Sequence, residues 1–229
     1  MRKIALTLLL FSFVGFSQNK TTKNVGDFSV VKAFDKISVQ LIQGTETKVE
    51  LSGERSNEVE LINKNGELKI RMPFKGLLKG EEITAIVYFK KLEGVEASEG
   101  AYVSSPAVFS AVDFSVNAKE GAEIKLVLDT KRVTVKSSSG AMVRLTGKAQ
   151  NQDIVVSGGG TVKASALEGE QTVVVVNAGG EADVTATELV DAKTRAGGSI
   201  TIYGNPKQIN QKTVAGGNIH QHNLSKKSK

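Results

Sequence analysis

A glycine followed three residues later by a β-branched or small apolar residue returns seven times in this chain, at Gly100, Gly121, Gly140, Gly159, Gly179, Gly197 and Gly216. The successive gaps are 21, 19, 19, 20, 18 and 19 residues. A near-constant period of this length, with no helical pattern inside it, predicts a solenoid whose coils cannot bury their apolar faces alone and must stack on one another.

Alignment on the glycines exposes columns. Five residues before the glycine stand Val95, Val116, Val135, Ile154, Val174, Ala192 and Gln211, and three before it Ala97, Ala118, Ser137, Val156, Val176, Thr194 and Thr213. Three after it come Val103, Ile124, Val143, Val162, Ala182, Ile200 and Ile219. Polar residues alternate with these, as in strands with one buried and one wet face. Glycine suits the bend between two strands because it takes positive φ without the clash a Cβ brings. The expected fold is therefore all-β, a right-handed parallel β-helix of about 19 residues per coil, with contacts between successive coils.

The segment before Val95 is less regular, although Val39 and Leu41, Val49 and Leu51, Leu68 and Ile70, and Ala85 and Val87 alternate well. Asn65-Gly66 is a hairpin signal, so part of this region is expected to pair antiparallel and cap the N-terminal end of the stack.

Arg2 and Lys3 precede an apolar run from Ile4 to Phe16, with small residues Gly15 and Ser17 behind it. This reads as a signal peptide over residues 1–17, shorter than the roughly 20 residues a membrane span requires. The remaining boundaries are a leader over 18–33, one β-helix domain over 34–222 and a basic tail over 223–229. Export to the periplasm or the extracellular side is the expected localisation. Losing Arg2 and Lys3 lowers the formal net charge from +6 to +4. With 5% aromatics and no Trp, the chain lacks the stacking platforms of single-stranded nucleic-acid binders, and nucleic acid is not an expected partner. The absence of cysteine excludes disulfides and thiol chemistry.

Phe34-Asp35-Lys36-Ile37, Leu68-Lys69-Ile70, corners such as Ser157-Gly158-Gly159-Gly160-Thr161-Val162, and Ile202-Tyr203-Gly204-Asn205-Pro206 leading into Gly216-Gly217-Asn218-Ile219 carry a resemblance. Through them the chain resembles the bacterial family described as the putative auto-transporter adhesin, head GIN domain. The resemblance spans roughly Val25 to Ile219. It implies an exported β-helix with a role in surface adhesion.

Among outward positions, Lys125, Arg144 and Lys163 fall in one column and are expected to form a basic ridge for an anionic glycan or another envelope component. Val155 and Val175 are expected side by side as an apolar contact patch. His220 and His222 share a strand face but make an incomplete metal site, and Glu181 with Asp183 has ordinary strand spacing, so neither a metal nor another cofactor is expected. No nucleophile, base and orienting group assemble from the pattern. The expected role is non-catalytic binding at the envelope, with a polysaccharide-active enzyme on a β-helix scaffold as the alternative.

Overall fold

The computed structural model describes residues 21–222, a single 18-stranded sheet wound on itself with two short 3₁₀ turns at Ser56–Glu58 and Phe74–Gly76. The signal peptide and basic tail read from the sequence lie outside the described residues. The first strands are β1 (Thr21–Asn24), β2 (Val30–Ala33), β3 (Ser38–Gln43), β4 (Lys48–Ser52), β5 (Glu60–Lys64), β6 (Glu67–Arg71), β7 (Thr84–Phe89) and β8 (Gly94–Ala97). Residues assigned to the leader thus carry β1 and β2.

Three long strands follow, β9 (Tyr102–Ala118), β10 (Glu123–Ser138) and β11 (Met142–Ser157), each running from one glycine corner to the next. Further on, every coil divides into two arms: β12 (Thr161–Glu168), β13 (Gln171–Asn177), β14 (Glu181–Thr185), β15 (Leu189–Arg195), β16 (Ser199–Tyr203), β17 (Gln208–Val214) and β18 (Asn218–Gln221). Equivalent arms pair in parallel throughout, so the inward columns become continuous ladders. Val103, Ile124, Val143, Val162, Ala182 and Ile200 form one of them, all fully buried. A leucine as completely buried as Leu126 or Leu145 contributes on the order of 2 kcal/mol, and the ladders repeat that gain coil after coil.

Each corner is a pair of left-handed residues. The corner glycine has φ between 71° and 88°, and the residue before it, from Glu99 to Ala215, is also at positive φ. The corners hydrogen-bond to one another along the stack, as Gly100 N–H does to the Glu120 carbonyl at 2.9 Å and Gly121 N–H to that of Ser139 at 3.1 Å.

Departures from the 19-residue period are absorbed at the opposite bend, where the two arms of a coil meet. The gap of 21 arises because Ser104 faces Lys125 while Val108 faces Val127, leaving two extra residues in β9 around Pro106. Buried Ser105 fixes this bulge by donating to the Leu41 carbonyl at 2.8 Å and accepting from Ala107 N–H at 3.1 Å. The gap of 20 comes from one extra residue between Lys163 and Ala166.

The N-terminal end corrects the expectation of coils stacked in chain order with local contacts. β2 lies between β6 and β8, and β3 between β7 and β9, so the coil over 30–43 is enclosed by strands from 67–89 on one side and 94–104 on the other. After β3 the chain steps outward, lays down the antiparallel strands β4 on β7, β1 on β4 and β5 on β6, and then returns past its first coil. The β5–β6 hairpin turns at Asn65 and Gly66, both at positive φ, as the sequence predicts. Offsets within a coil specify which residues point inward. They do not specify the order in which coils stack, and that order is what differs.

Candidate ligand-binding wall

Lys125, Arg144 and Lys163 stand in register on three successive coils, followed by Asp183. The structure brings them together as expected, yet two of the three are already answered by carboxylates. Arg144 Nε donates to Glu123 Oε1 at 3.0 Å, and Lys163 Nζ lies 2.8 Å from Glu181 Oε1 and 3.1 Å from Asp183 Oδ2. The hydrogen bond to Glu181 is the main cause holding the Lys163 ammonium above its ordinary pKa, and Asp183 adds to it. Among the described residues, Lys125 has no carboxylate within ion-pair distance. The wall is thus a run of three cations of which two are answered by carboxylates, leaving the Lys125 ammonium without one among the described residues.

What the sequence columns did not reveal is the groove beside this ladder. Val127 pairs with Val108 on one side and Thr146 on the other, and Thr146 pairs with Ala166, giving an outward column of small or apolar residues next to the charged one. Between the two columns runs a groove of about 250 Å³, with Lys125, Arg144 and Lys163 on its rim. The signal was present at offset six from the corner glycine in Val127 and Thr146, but the inserted residues near Pro106 and Ser165 shift Val108 and Ala166 out of alignment. Only the strand register restores the column.

Val155 and Val175 pair directly, with Val155 40% exposed and Val175 half-buried. Lys136 precedes Val155 in the column and Lys193 follows Val175. Val173, 44% exposed on the same arm, faces Asp153 and Asp191, so charged neighbours border the valines on both rows.

His220 lies in register with Thr201, and the His222 ring packs against Tyr203 with centroids 4.8 Å apart. Glu181 and Asp183 converge on the Lys163 ammonium. Among the described residues no three His, Asp or Glu side chains are grouped to hold a metal ion, and no helix is long and apolar enough to cross a membrane.

A second feature escaped the glycine alignment. Asp35 and Lys36, at φ 59° and 62°, form a corner equivalent to Glu99-Gly100, with Ser38 in register with Tyr102 and Ala33 with Ala97. The same inward offsets, Val31, Ala33, Val39 and Leu41, surround Lys36 and mark it as a corner without glycine. The next corner outward is enlarged: fifteen positions separate Ile70 from Ala85, where six separate their partners Ala33 and Val39.

The family model for the putative auto-transporter adhesin, head GIN domain, matches residues 27–206. The chain belongs to this family. Solved structures share its fold: one described as a putative adhesin from Bacteroides fragilis has a TM-score of 0.82 at 20% identity, over 90% of this chain and 98% of that one. Another, a putative adhesin from Parabacteroides distasonis, gives 0.70 at 16% identity over 90% and 98%. A third, described as a putative lipid binding protein from the same species, gives 0.68 at 13% identity over 91% and 98%. Among curated proteins, none matches the chain. The family and the first two of these structures carry adhesin-type descriptions.

Proposed function

We propose that this chain is a non-catalytic binding module exported to the cell envelope, and that an extended anionic glycan lies in the groove along its wall. The observation that carries the reading is the pairing of two columns: a rim of Lys125, Arg144 and Lys163 beside a floor of Val127, Thr146 and Ala166. A sugar ring offers an apolar face to such a floor and its acidic substituents to such a rim. The coil spacing of about 4.8 Å is commensurate with a polymer running along the solenoid axis. Glu123 holds Arg144 on the rim and Glu181 with Asp183 holds Lys163, while Lys125 supplies the charge that no carboxylate among the described residues answers.

The adhesin descriptions of the family support binding over turnover, and the neighbour described as lipid binding is compatible with an amphipathic ligand. Retention on immobilised uronate-rich and sulfated polysaccharides, compared with neutral ones, tests the proposal. The wild-type chain is expected to be retained by acidic polymers in a salt-dependent way, and Lys125→Glu to lose about tenfold in affinity. Equal retention of Lys125→Glu would remove the groove as the site. Release of reducing ends or unsaturated uronate would replace this reading with the polysaccharide-active enzyme.

A further inference from the structure

The enlarged corner between β6 and β7 presents an unusual tip. Phe74 is 88% exposed, Leu77 45% and Leu78 49%, and Lys75 and Lys79 stand among them. The base of the same loop is rigidly tied down. Asp35, buried at 1% exposure, accepts the N–H of Met72 with one carboxylate oxygen and that of Leu78 with the other, both at 2.9 Å. Its carbonyl accepts the Gly80 N–H at 3.0 Å. Gly80 packs so tightly there that an added Cβ would lie 2.5 Å from that carbonyl oxygen and from Ile37 Cγ1.

Leu78 is held at φ 60°, a left-handed conformation that a bulky residue adopts only where its surroundings impose it. Met72, Gly76 and Gly80 face the protein while Phe74, Leu77 and Leu78 face outward. The loop is therefore not a slack insertion whose apolar residues lack a place to fold. It is a braced platform that holds three apolar side chains in water.

We infer that the Phe74–Lys79 tip docks on a bilayer containing anionic phospholipid, with Phe74, Leu77 and Leu78 entering the interface and Lys75 and Lys79 at the level of the headgroups. Among the described residues neither lysine has a carboxylate within ion-pair distance. Of the nearby acids, Glu81 pairs with Lys36 at 2.9 Å and Glu58 with Arg55 at 2.6 Å, while Glu54 and Glu82 line the recess behind the tip together with Lys79. Apolar side chains flanked by two lysines that form no ion pair among the described residues match an anionic interface in both polarity and charge. A second copy of the chain is a poor match, because three projecting side chains fall far short of the roughly 20 residues a side that a stable protein interface needs.

The chain contains no Trp, so Phe74→Trp supplies a single fluorophore at the tip. With vesicles of phosphatidylcholine and phosphatidylglycerol its emission is expected to shift to the blue and to be quenched by brominated acyl chains, with little change on pure phosphatidylcholine. In co-sedimentation with the mixed vesicles, the unlabelled chain is expected to bind, and Phe74→Ser/Leu77→Ser/Leu78→Asn to lose about tenfold or more in partitioning. Asn is chosen at position 78 because it tolerates positive φ, and an unchanged thermal midpoint shows that the fold persists. Lys75→Glu/Lys79→Glu is expected to abolish the preference for phosphatidylglycerol. Failure of the wild-type chain to bind, undiminished binding of the triple variant, or an unaltered lipid preference in the charge-reversed variant would each overturn the inference.

Discussion

Asp35 reaches across thirty-seven positions of sequence to Met72, accepting its backbone N–H at 2.9 Å from inside a corner that buries the carboxylate. The same carboxylate holds Leu78 N–H, so one side chain closes both a solenoid corner and the loop that replaces the next corner. Removing it orphans two backbone donors. Asp35→Ala is expected to cost about 2–4 kcal/mol in urea unfolding, since each charge-assisted hydrogen bond is worth roughly twice a neutral one. Asp35→Asn keeps an acceptor and the tolerance for positive φ, and is expected to lose about half as much. Limited proteolysis should cut within residues 73–82 faster in both variants.

The two classes of glycine predict different penalties. At Gly140, φ 73°, an added Cβ meets nothing within 4 Å, so Gly140→Ala is expected to cost only the left-handed conformation itself, about 1 kcal/mol. At Gly147, φ 101°, the added Cβ would sit 2.2 Å from the Leu128 carbonyl oxygen of the preceding coil. Gly147→Ala must push two coils apart, and about 3 kcal/mol or more is expected to be lost. Denaturation midpoints of the two variants, measured side by side, check the order.

The inward ladders were legible because a parallel stack repeats the same demand at each coil: Val103, Ile124, Val143 and Val162 occupy one environment and all carry β-branched aliphatic side chains. Lys36 hid its corner because the lysine at φ 62° removes the glycine that marked the others. The stacking of the 30–43 coil between later strands was not legible at all. Val31 faces Leu68 and Val95 alike, and an apolar residue of this size fits either neighbour without naming which segment supplies it. For the wall, the charged column was readable from offsets, whereas its carboxylate partners sit at another offset or on the next coil. Glu123 is two residues from Lys125 in sequence yet bonds Arg144.

Stability should depend on pH through Glu99. Partial burial is the first cause raising its pKa above 4.5, and the proximity of Asp35 is the second. A carboxyl whose folded pKa is raised binds its proton more tightly in the native state, so the unfolded state carries fewer protons in that window. Stability therefore declines as pH rises from about 4.5 through the folded pKa, and is constant above it. Glu99→Gln is expected to flatten this decline and to raise the thermal midpoint at neutral pH. Glu58 is the opposite case: its hydrogen bond with Arg55 lowers its pKa, so its contribution fades as pH falls. Thermal scans from pH 4 to pH 8 on both Glu99→Gln and Glu58→Gln separate the two, since only the first should alter the acidic-to-neutral decline.

At Val155, neighbours in register decide which charge is tolerated. Lys136 stands on one side, and on the other Val175 separates it from Lys193. Directly opposed charges of unlike sign contribute about 0.2–1 kcal/mol in a sheet, and like charges cost a similar amount. Val155→Glu is therefore expected to be neutral or slightly stabilising, and Val155→Lys to lose about 1 kcal/mol, both read from urea midpoints. If the valine pair instead joins two copies of the chain, both substitutions would lower the sedimentation coefficient by the same step, because either charge dries poorly against an apolar partner. A difference in stability with an unchanged sedimentation coefficient marks the pair as part of the wall alone.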